Sequence, residues 1–190
     1  MNSLEIIAVV LGLANIGLLV RRSIWNYPFG MAMVTLYALI FWEAKLYGEA
    51  GLQGFFFVVQ GWGWYLWARA GGLEHAVVVR WMGWGARVAA LAAVAVVTLL
   101  LGTAMHRLTD AAMPFADAAI TGASVVAQIL LSIRRIENWL LWIAIDLGAI
   151  ALYIQRDLHL TAGLYVAFLV LSVMGLREWI KASRQGGASA

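Results

Sequence analysis

Arg22-Ser-Ile-Trp-Asn-Tyr27 and Arg134-Arg-Ile-Glu-Asn-Trp139 are two copies of one segment, and reading them as copies decides the fold. A shift of 112 positions lays Arg22 on Arg134, Ile24 on Ile136 and Asn26 on Asn138. Without a gap, the same shift lays Leu46, Ala50, Gly51 and Leu52 on Leu158, Ala162, Gly163 and Leu164, and Phe56 and Val58 on Phe168 and Val170. It also lays Gly63, Trp67 and Arg69 on Gly175, Trp179 and Lys181. In an apolar chain Leu and Val coincide by chance. Arg, Asn, Gly and Trp in a single register carry more weight.

The chain around these copies is 64% hydrophobic and 12% charged. Soluble domains need about a quarter of their residues charged to coat the core. A bilayer removes that need, because lipid can face apolar side chains directly. Seven apolar runs approach spanning length, at about 4–20, 24–42, 51–67, 88–105, 114–133, 138–154 and 161–179. Pro28 and Pro114 fall near helix starts, where a missing N–H costs little. The loop 68–87 contains Trp81 and Trp84 and is expected to lie partly in the interface. The first run, Leu4 to Val20, has no basic residue before it and is followed by Arg21-Arg22, so a cleavable leader is not expected.

Basic residues orient the spans. With the N-terminus outside, the cytoplasmic segments hold Arg21, Arg22, Arg69, Arg80, Arg87, Arg134, Arg135, Arg177, Lys181 and Arg184, and the outer ones only Lys45, Arg107 and Arg156. That is the positive-inside bias of a multi-pass membrane protein. The copies then fix the topology. A three-span unit ends on the side opposite its start, so a second unit in the same orientation needs one extra crossing. The expected fold is all-α: repeat 1–69, a loop and linker helix over 70–112, repeat 113–181 and a disordered tail over 182–190. Parallel repeats of this kind are a transporter architecture, with substrate sites near the midplane.

Ionisable groups at bilayer depth are costly and usually face a cavity and a partner. Glu43, Glu49, Asp117, Arg156 and Glu178 sit at span ends and read as interfacial or capping groups. Asp146 lies near the middle of span 6, and its repeat counterpart is Val34, so the position is asymmetric. It shares a helix face with Trp139 and Trp142. Two indole planes and a carboxylate suit a flat aromatic cation. Taken singly, either Trp could equally be an interfacial anchor or a packing group. Gln53 and Gln60 on one face of span 3, Gln128 in span 5, Asn15 in span 1 and Tyr37 in span 2 are the further candidates for substrate contact. Such amides also bond across helices in lipid. Asn26 and Asn138 read as helix caps. Gly61, Gly63, Gly163 and Gly175 read as close-packing positions.

Other classes fit poorly. The chain has no Cys, so disulfides, thiolate catalysis and Cys-ligated metals are excluded. His75, His106 and His159 fall in loops, and no nucleophile motif or paired intramembrane carboxylates occur, which argues against an enzyme. Span 7 has no intramembrane Lys for a retinal sensor; Lys181 is at its end. Net charge +3 follows the topology and suggests no nucleic-acid partner. No cofactor is expected, and a homo-oligomer is left open.

Several stretches resemble a known family. Asn26-Tyr-Pro-Phe-Gly30, Leu36-Tyr37, Lys45-Leu-Tyr47, Leu52-Gln-Gly-Phe-Phe-Phe57 and Gly63-Trp-Tyr-Leu-Trp67 are similar to the first half of the Pnu vitamin transporters. Glu137-Asn-Trp-Leu-Leu-Trp142, Thr161-Ala-Gly-Leu-Tyr165 and Gly175-Leu-Arg-Glu-Trp179 are similar to the second half. The resemblance runs from about residue 4 to 181 and is nearest to the nicotinamide riboside type. It implies a 3+1+3 fold related to the SWEET sugar transporters, and facilitated diffusion in a bacterial inner membrane. It also implies a cytoplasmic kinase that traps the nucleoside. The family's Trp-x-x-Trp-x-x-x-Asn binding motif falls on Trp139, Trp142 and position 146, where this chain has Asp. An Asn donates and accepts, whereas a carboxylate only accepts and adds charge. Asp146 suits a cationic nicotinamide ring or ribose hydroxyls, and thiamine or another vitamin is the alternative cargo.

Overall fold

The computed structural model describes residues 3–43, 47–108, 113–155 and 159–187. Among them are seven helices and no strand: α1 Ser3–Val20, α2 Asn26–Glu43, α3 Tyr47–Arg69, α4 Trp84–Leu108, α5 Pro114–Ser132, α6 Glu137–Gln155 and α7 His159–Gly187. Trp84–Leu108, Pro114–Ser132 and Ala162–Gln185 are long and apolar enough to span a bilayer by length and composition alone. In α2, α3 and α6, residues such as Asn26, Gln53, Gln60 and Asp146 dilute the hydropathy, whereas α1 is apolar over Ile6–Val20. Lys45 and Arg156, two of the three expected outer basic residues, lie outside the described residues.

Helix contacts trace a closed ring. α1 packs on α2, α2 on α3, α3 on α5, α5 on α6, α6 on α7, and α7 back on α1. The sequence shift turns α1, α2 and α3 into α5, α6 and α7, so the two seams between repeats, α3–α5 and α7–α1, are one contact made twice. Among the described residues α4 packs on α5 alone. It presents Val88, Leu91, Val96, Leu99 and Leu100 outward, as a lipid-facing linker does.

The copied segments form the same turn twice. Arg22 and Arg134 adopt left-handed backbone, φ 57° and 60°. Arg22 N–H bonds Leu19 O at 2.9 Å and Ser23 N–H bonds Leu18 O at 3.0 Å; Arg134 and Arg135 do the same to Leu131 and Leu130 at 2.9 and 2.8 Å. This is the Schellman ending, which satisfies the last carbonyls of a helix. A non-glycine residue there costs on the order of 1–2 kcal/mol, and both copies bear it. Asn26 and Asn138 differ from the expected caps. Their Nδ2 groups donate back to Ser23 O (2.7 Å) and Arg135 O (2.6 Å), stapling the turn instead of accepting from a helix N–H.

Each turn feeds an aromatic pair. Tyr27 meets Trp67 edge-on, centroids 5.3 Å apart at 89°, and its counterpart Trp139 meets Trp179 at 5.6 Å and 88°. Trp67 and Trp179 touch each other across the repeats at 6.1 Å. Leu19, Val20, Ile24, Leu131, Ile136, Val77 and Val79 complete this buried cluster at the turn end of the bundle. Glycine makes room for the rings. A Cβ on Gly175 would lie 2.4 Å from the Trp139 ring, and one on Gly63 would lie 2.6 Å from the Tyr27 hydroxyl. Gly163 has open space instead, so it is not a packing glycine.

Two expectations are corrected. The loop before α4 is not only interfacial: Val77 and Val79 are buried in the core, although Trp81 and Trp84 are exposed. The tail from residue 182 is not disordered throughout, since α7 continues to Gly187. Ile180 and Ala182 pack against the aromatic cluster, and Ser183 Oγ bonds Ile180 O, which carries the helix past Lys181. Residues 188–190 lie outside the described residues.

Gly175→Ala is expected to destabilise the detergent-solubilised protein by about 1–3 kcal/mol, because a rigid indole cannot yield to the new methyl. Gly163→Ala should be neutral or stabilising by up to ~1 kcal/mol. Thermal unfolding of both variants checks the contrast, and equal melting points would refute the packing role.

Candidate functional site

Above the aromatic cluster lies a polar layer. Counting back from each helix's turn end, Gly30, Gln128, Asn15, Trp142, Gln60 and Asp146 sit four to nine residues away, and on the longer α7 Ser172 precedes Trp179 of the cluster by two turns. At a rise of 1.5 Å per residue that is a band about 6–14 Å deep. Six different helices supply these residues, so the ring brings together groups scattered over the whole sequence.

Asp146 is 4% exposed, and its Oδ2 accepts a hydrogen bond from Ser172 Oγ of α7 at 2.9 Å. The pair ties α6 to α7 at mid-helix. Trp142 lies one turn nearer the turn end, half-buried against the aromatic cluster. Trp139 is placed differently from a cavity wall. It is 1% exposed, edge-on to Trp179 and over Gly175, so in this structure it is a core ring beneath the polar layer.

The first repeat builds its side of the layer with amides. Gln60 (6% exposed) is buried beside Gly30 of α2, where an added Cβ would meet Gln60 Oε1 and, at 2.6 Å, Asn15 Nδ2. Asn15 Nδ2 also donates to Asn26 O at 2.7 Å. Gln128 is buried on α5, and its backbone carbonyl accepts from Ser132 Oγ at 3.0 Å. Ser132 reaches Val59 O of α3 at 3.4 Å, bridging one seam between the repeats. Tyr37 and Gln53 are half-buried and lie further from the turn end; Tyr37 stacks on Phe41 at 5.8 Å. The structure thus groups Trp142, Asp146, Gln60 and Gln128 in one layer, with Trp139 below it and Tyr37 and Gln53 beyond it.

Ser172 and Gly30 were not singled out from sequence. The repeat register held the signal for both: position 172 answers to Gln60, and position 30 to Trp142. The described residues hold no group of three or more His, Asp or Glu side chains able to bind a metal. The layer offers one carboxyl group, one hydroxyl, three amides and one indole.

Comparison with known proteins shows the family and the fold. Residues 2–181 match the family described as nicotinamide mononucleotide transporter. The nicotinamide riboside transporter PnuC of Escherichia coli (strain K12) is 31% identical over 212 residues, covering 98% of this chain and 89% of the relative. The riboflavin/roseoflavin transporter RibM of Streptomyces davaonensis is 29% identical, covering 95% and 86%. The crystal structure of the vitamin B3 transporter PnuC superimposes with a TM-score of 0.78 at 29% identity, covering 96% of this chain and 82% of that one. A six-helix ring with a linker helix, two copied turns and a match over nearly its whole length place this chain in the nicotinamide mononucleotide transporter family, whose members are multi-pass membrane transporters and not enzymes.

Proposed function

We propose that this protein carries nicotinamide riboside across the bacterial inner membrane by facilitated diffusion, with uptake drawn forward by a cytoplasmic kinase that phosphorylates the nucleoside. The observation that carries this reading is Asp146, a buried acidic side chain one turn from Trp142 and held by Ser172. The pyridinium ring of nicotinamide riboside is flat and cationic. An indole face attracts such a ring through its quadrupole, and a carboxylate supplies the counter-charge. One hydrogen bond from Ser172 leaves Asp146 with acceptor capacity for ribose hydroxyls. Gln60 and Gln128 are suited to bond the carboxamide or sugar. Tyr37 and Gln53 stand along the approach from the other end, and Trp139 supports Trp142 from below.

The turn end is the cytoplasmic one in this proposal, with the N-terminus outside and the C-terminus inside. It carries Arg21, Arg22, Arg69, Arg80, Arg134, Arg135, Arg177, Lys181 and Arg184. That concentration fits the positive-inside rule. A second reading, transport of riboflavin, is favoured by the similarity to RibM. Its neutral ring system gains nothing from a counter-charge, so Asp146 weighs toward the pyridinium.

Four outcomes are expected. Asp146→Ala and Trp142→Ala should each weaken nicotinamide riboside binding by at least about tenfold in calorimetry of the purified protein, as loss of a desolvated charge or cation–π partner implies; normal affinity in both would refute the site. Proteoliposomes should take up nicotinamide riboside to equilibrium without any ion gradient, and a requirement for a proton or sodium gradient would refute the passive mechanism. Ser172→Ala, which strips a buried carboxyl of its donor, should cost about 1–3 kcal/mol of stability. Asp146→Asn keeps an acceptor for Ser172 and should unfold near the wild-type temperature while binding the cation less tightly.

A further inference from the structure

The segment 76–82, Ala-Val-Val-Val-Arg-Trp-Met, crosses the turn end of the ring between α3 and α4. It is extended, and over 76–80 its residues alternate: Val77 and Val79 are 0% and 2% exposed, whereas Val78 is 50% exposed and Ala76 and Arg80 are exposed too. The two buried valines enter the aromatic cluster that both repeats share. The segment therefore closes the turn end from outside.

Its ties to the two repeats are unequal. To the second repeat it makes three, and the start of α4 adds a fourth. Arg80 N–H bonds Arg134 O and Ile136 N–H bonds Arg80 O, both at 3.2 Å, across the copied turn. Glu137 Oε1 accepts from Met82 N–H and from Arg87 Nε, both at 2.8 Å, the latter a salt bridge at the base of α4. Arg87 also lies over the Trp81 and Trp84 rings at 5.5 and 5.1 Å. To the copied turn of the first repeat it makes one tie, Arg22 Nη1 to Val77 O at 3.2 Å. The link back to α3 runs through Gly71, φ 81°, and Gly72, whose N–H groups bond Ala68 O and Trp67 O at 3.1 and 3.0 Å and close α3 with a Schellman ending. Backbone pairing reinforced by a charged pair outlasts a single bond from a flexible arginine.

We propose that residues 76–82 are a strap that travels with the second repeat, and that the turn end opens where the strap parts from the first repeat at the Arg22–Val77 contact. The inference rests on the transport reading. A carrier whose repeats rock against each other must break the seal at this end in every cycle. The seal divides along its weaker line. Arg22→Val77 is that line, and the second-repeat contacts remain whole.

The chain has no Cys, so thiol pairs can be introduced into the intact protein without background. One pair is Arg22→Cys with Val78→Cys, joining strap and first repeat; the other is Arg80→Cys with Arg135→Cys, joining strap and second repeat. Both are linked with a reducible bis-maleimide and assayed for nicotinamide riboside uptake into proteoliposomes. Linking the first pair should lower uptake at least about tenfold and reduction should restore it, whereas linking the second should leave uptake within about twofold. A block by the second link, or free uptake with the first linked, overturns the strap. If the reduced, unlinked variants are folded and move no nicotinamide riboside, the cargo reading fails instead. Spin labels on the same pairs then test the strap without any substrate: the 22/78 pair should show a second, longer distance and the 80/135 pair a single one, and the reverse pattern overturns the proposal.

Discussion

The two repeats hold each other through a chain of four rings, Tyr27, Trp67, Trp179 and Trp139. Lipid gives helices no hydrophobic reason to associate, so packing and hydrogen bonds must do it. Large rings set edge-on over glycine supply dense packing where two helices would otherwise leave a gap. Everything else in the ring is arranged around this contact. The Schellman turns aim Tyr27 and Trp139 inward, the stapling asparagines fix those turns, and Val77 and Val79 fill the space beneath. The contact is not symmetric in its polar atoms. Trp179 Nε1 donates to Leu19 O at 3.1 Å across the α7–α1 seam, whereas Trp67 Nε1 is buried without a partner. The α3–α5 seam uses Ser132 to Val59 instead. Two seams of one origin are thus closed by different bonds, which allows them to part at different cost.

A dry end beneath a polar layer suits a carrier. A closed path needs one face where water cannot follow the cargo, and the aromatic cluster with its overlying segment provides it. The polar layer needs groups that are costly in lipid and so must point into the ring. Asp146, Gln60, Gln128 and Ser172 are all buried, and Asp146 and Ser172 satisfy each other. On the proposed reading, the ligand completes what those groups lack. The Arg87–Glu137 bridge belongs to the outer support: it fixes the start of α4 against the second repeat, which makes the linker helix a part of that repeat in mechanical terms.

Much of the fold was legible because the repeat is carried by residues with special geometry. Arg22 and Arg134, Asn26 and Asn138, Gly63 and Gly175, and Trp67 and Trp179 each do the same work in both halves. The register that aligned them also predicts the need for α4. Composition could not show that Val77 and Val79 leave the interface for the core, because Val-Val-Val suits a membrane surface equally well. Nor could it show that α7 runs past Lys181, since the packing of Ala182 against the cluster is a tertiary event. The site was legible only in part. Trp142 and Asp146 announce themselves as aromatic and charge within an apolar run. Ser172 does not, being one more small residue in lipid, until Asp146 is known to be its partner. Trp139 misleads for the opposite reason: its spacing from Trp142 and Asp146 is that of a binding face, yet the glycine that receives its edge is 36 residues away in sequence.

Positions 30 and 142 show how a duplicated scaffold comes to bind an asymmetric molecule. They are equivalent under the repeat, one a glycine and the other a tryptophan. Two indoles at these places would stand as mirror occupants of a central layer. The glycine instead lets Gln60 and Asn15 close over α2, so amides face inward on that side where the other side has a ring. Val34 and Asp146 repeat the same division, apolar in one half and acidic in the other. A molecule with an aromatic cation at one end and a sugar at the other needs this inequality. The backbone keeps its twofold relation, so that the same helices meet at both seams even though different bonds close them. The side chains of a single layer break that relation, and on the proposed reading that difference orients the cargo.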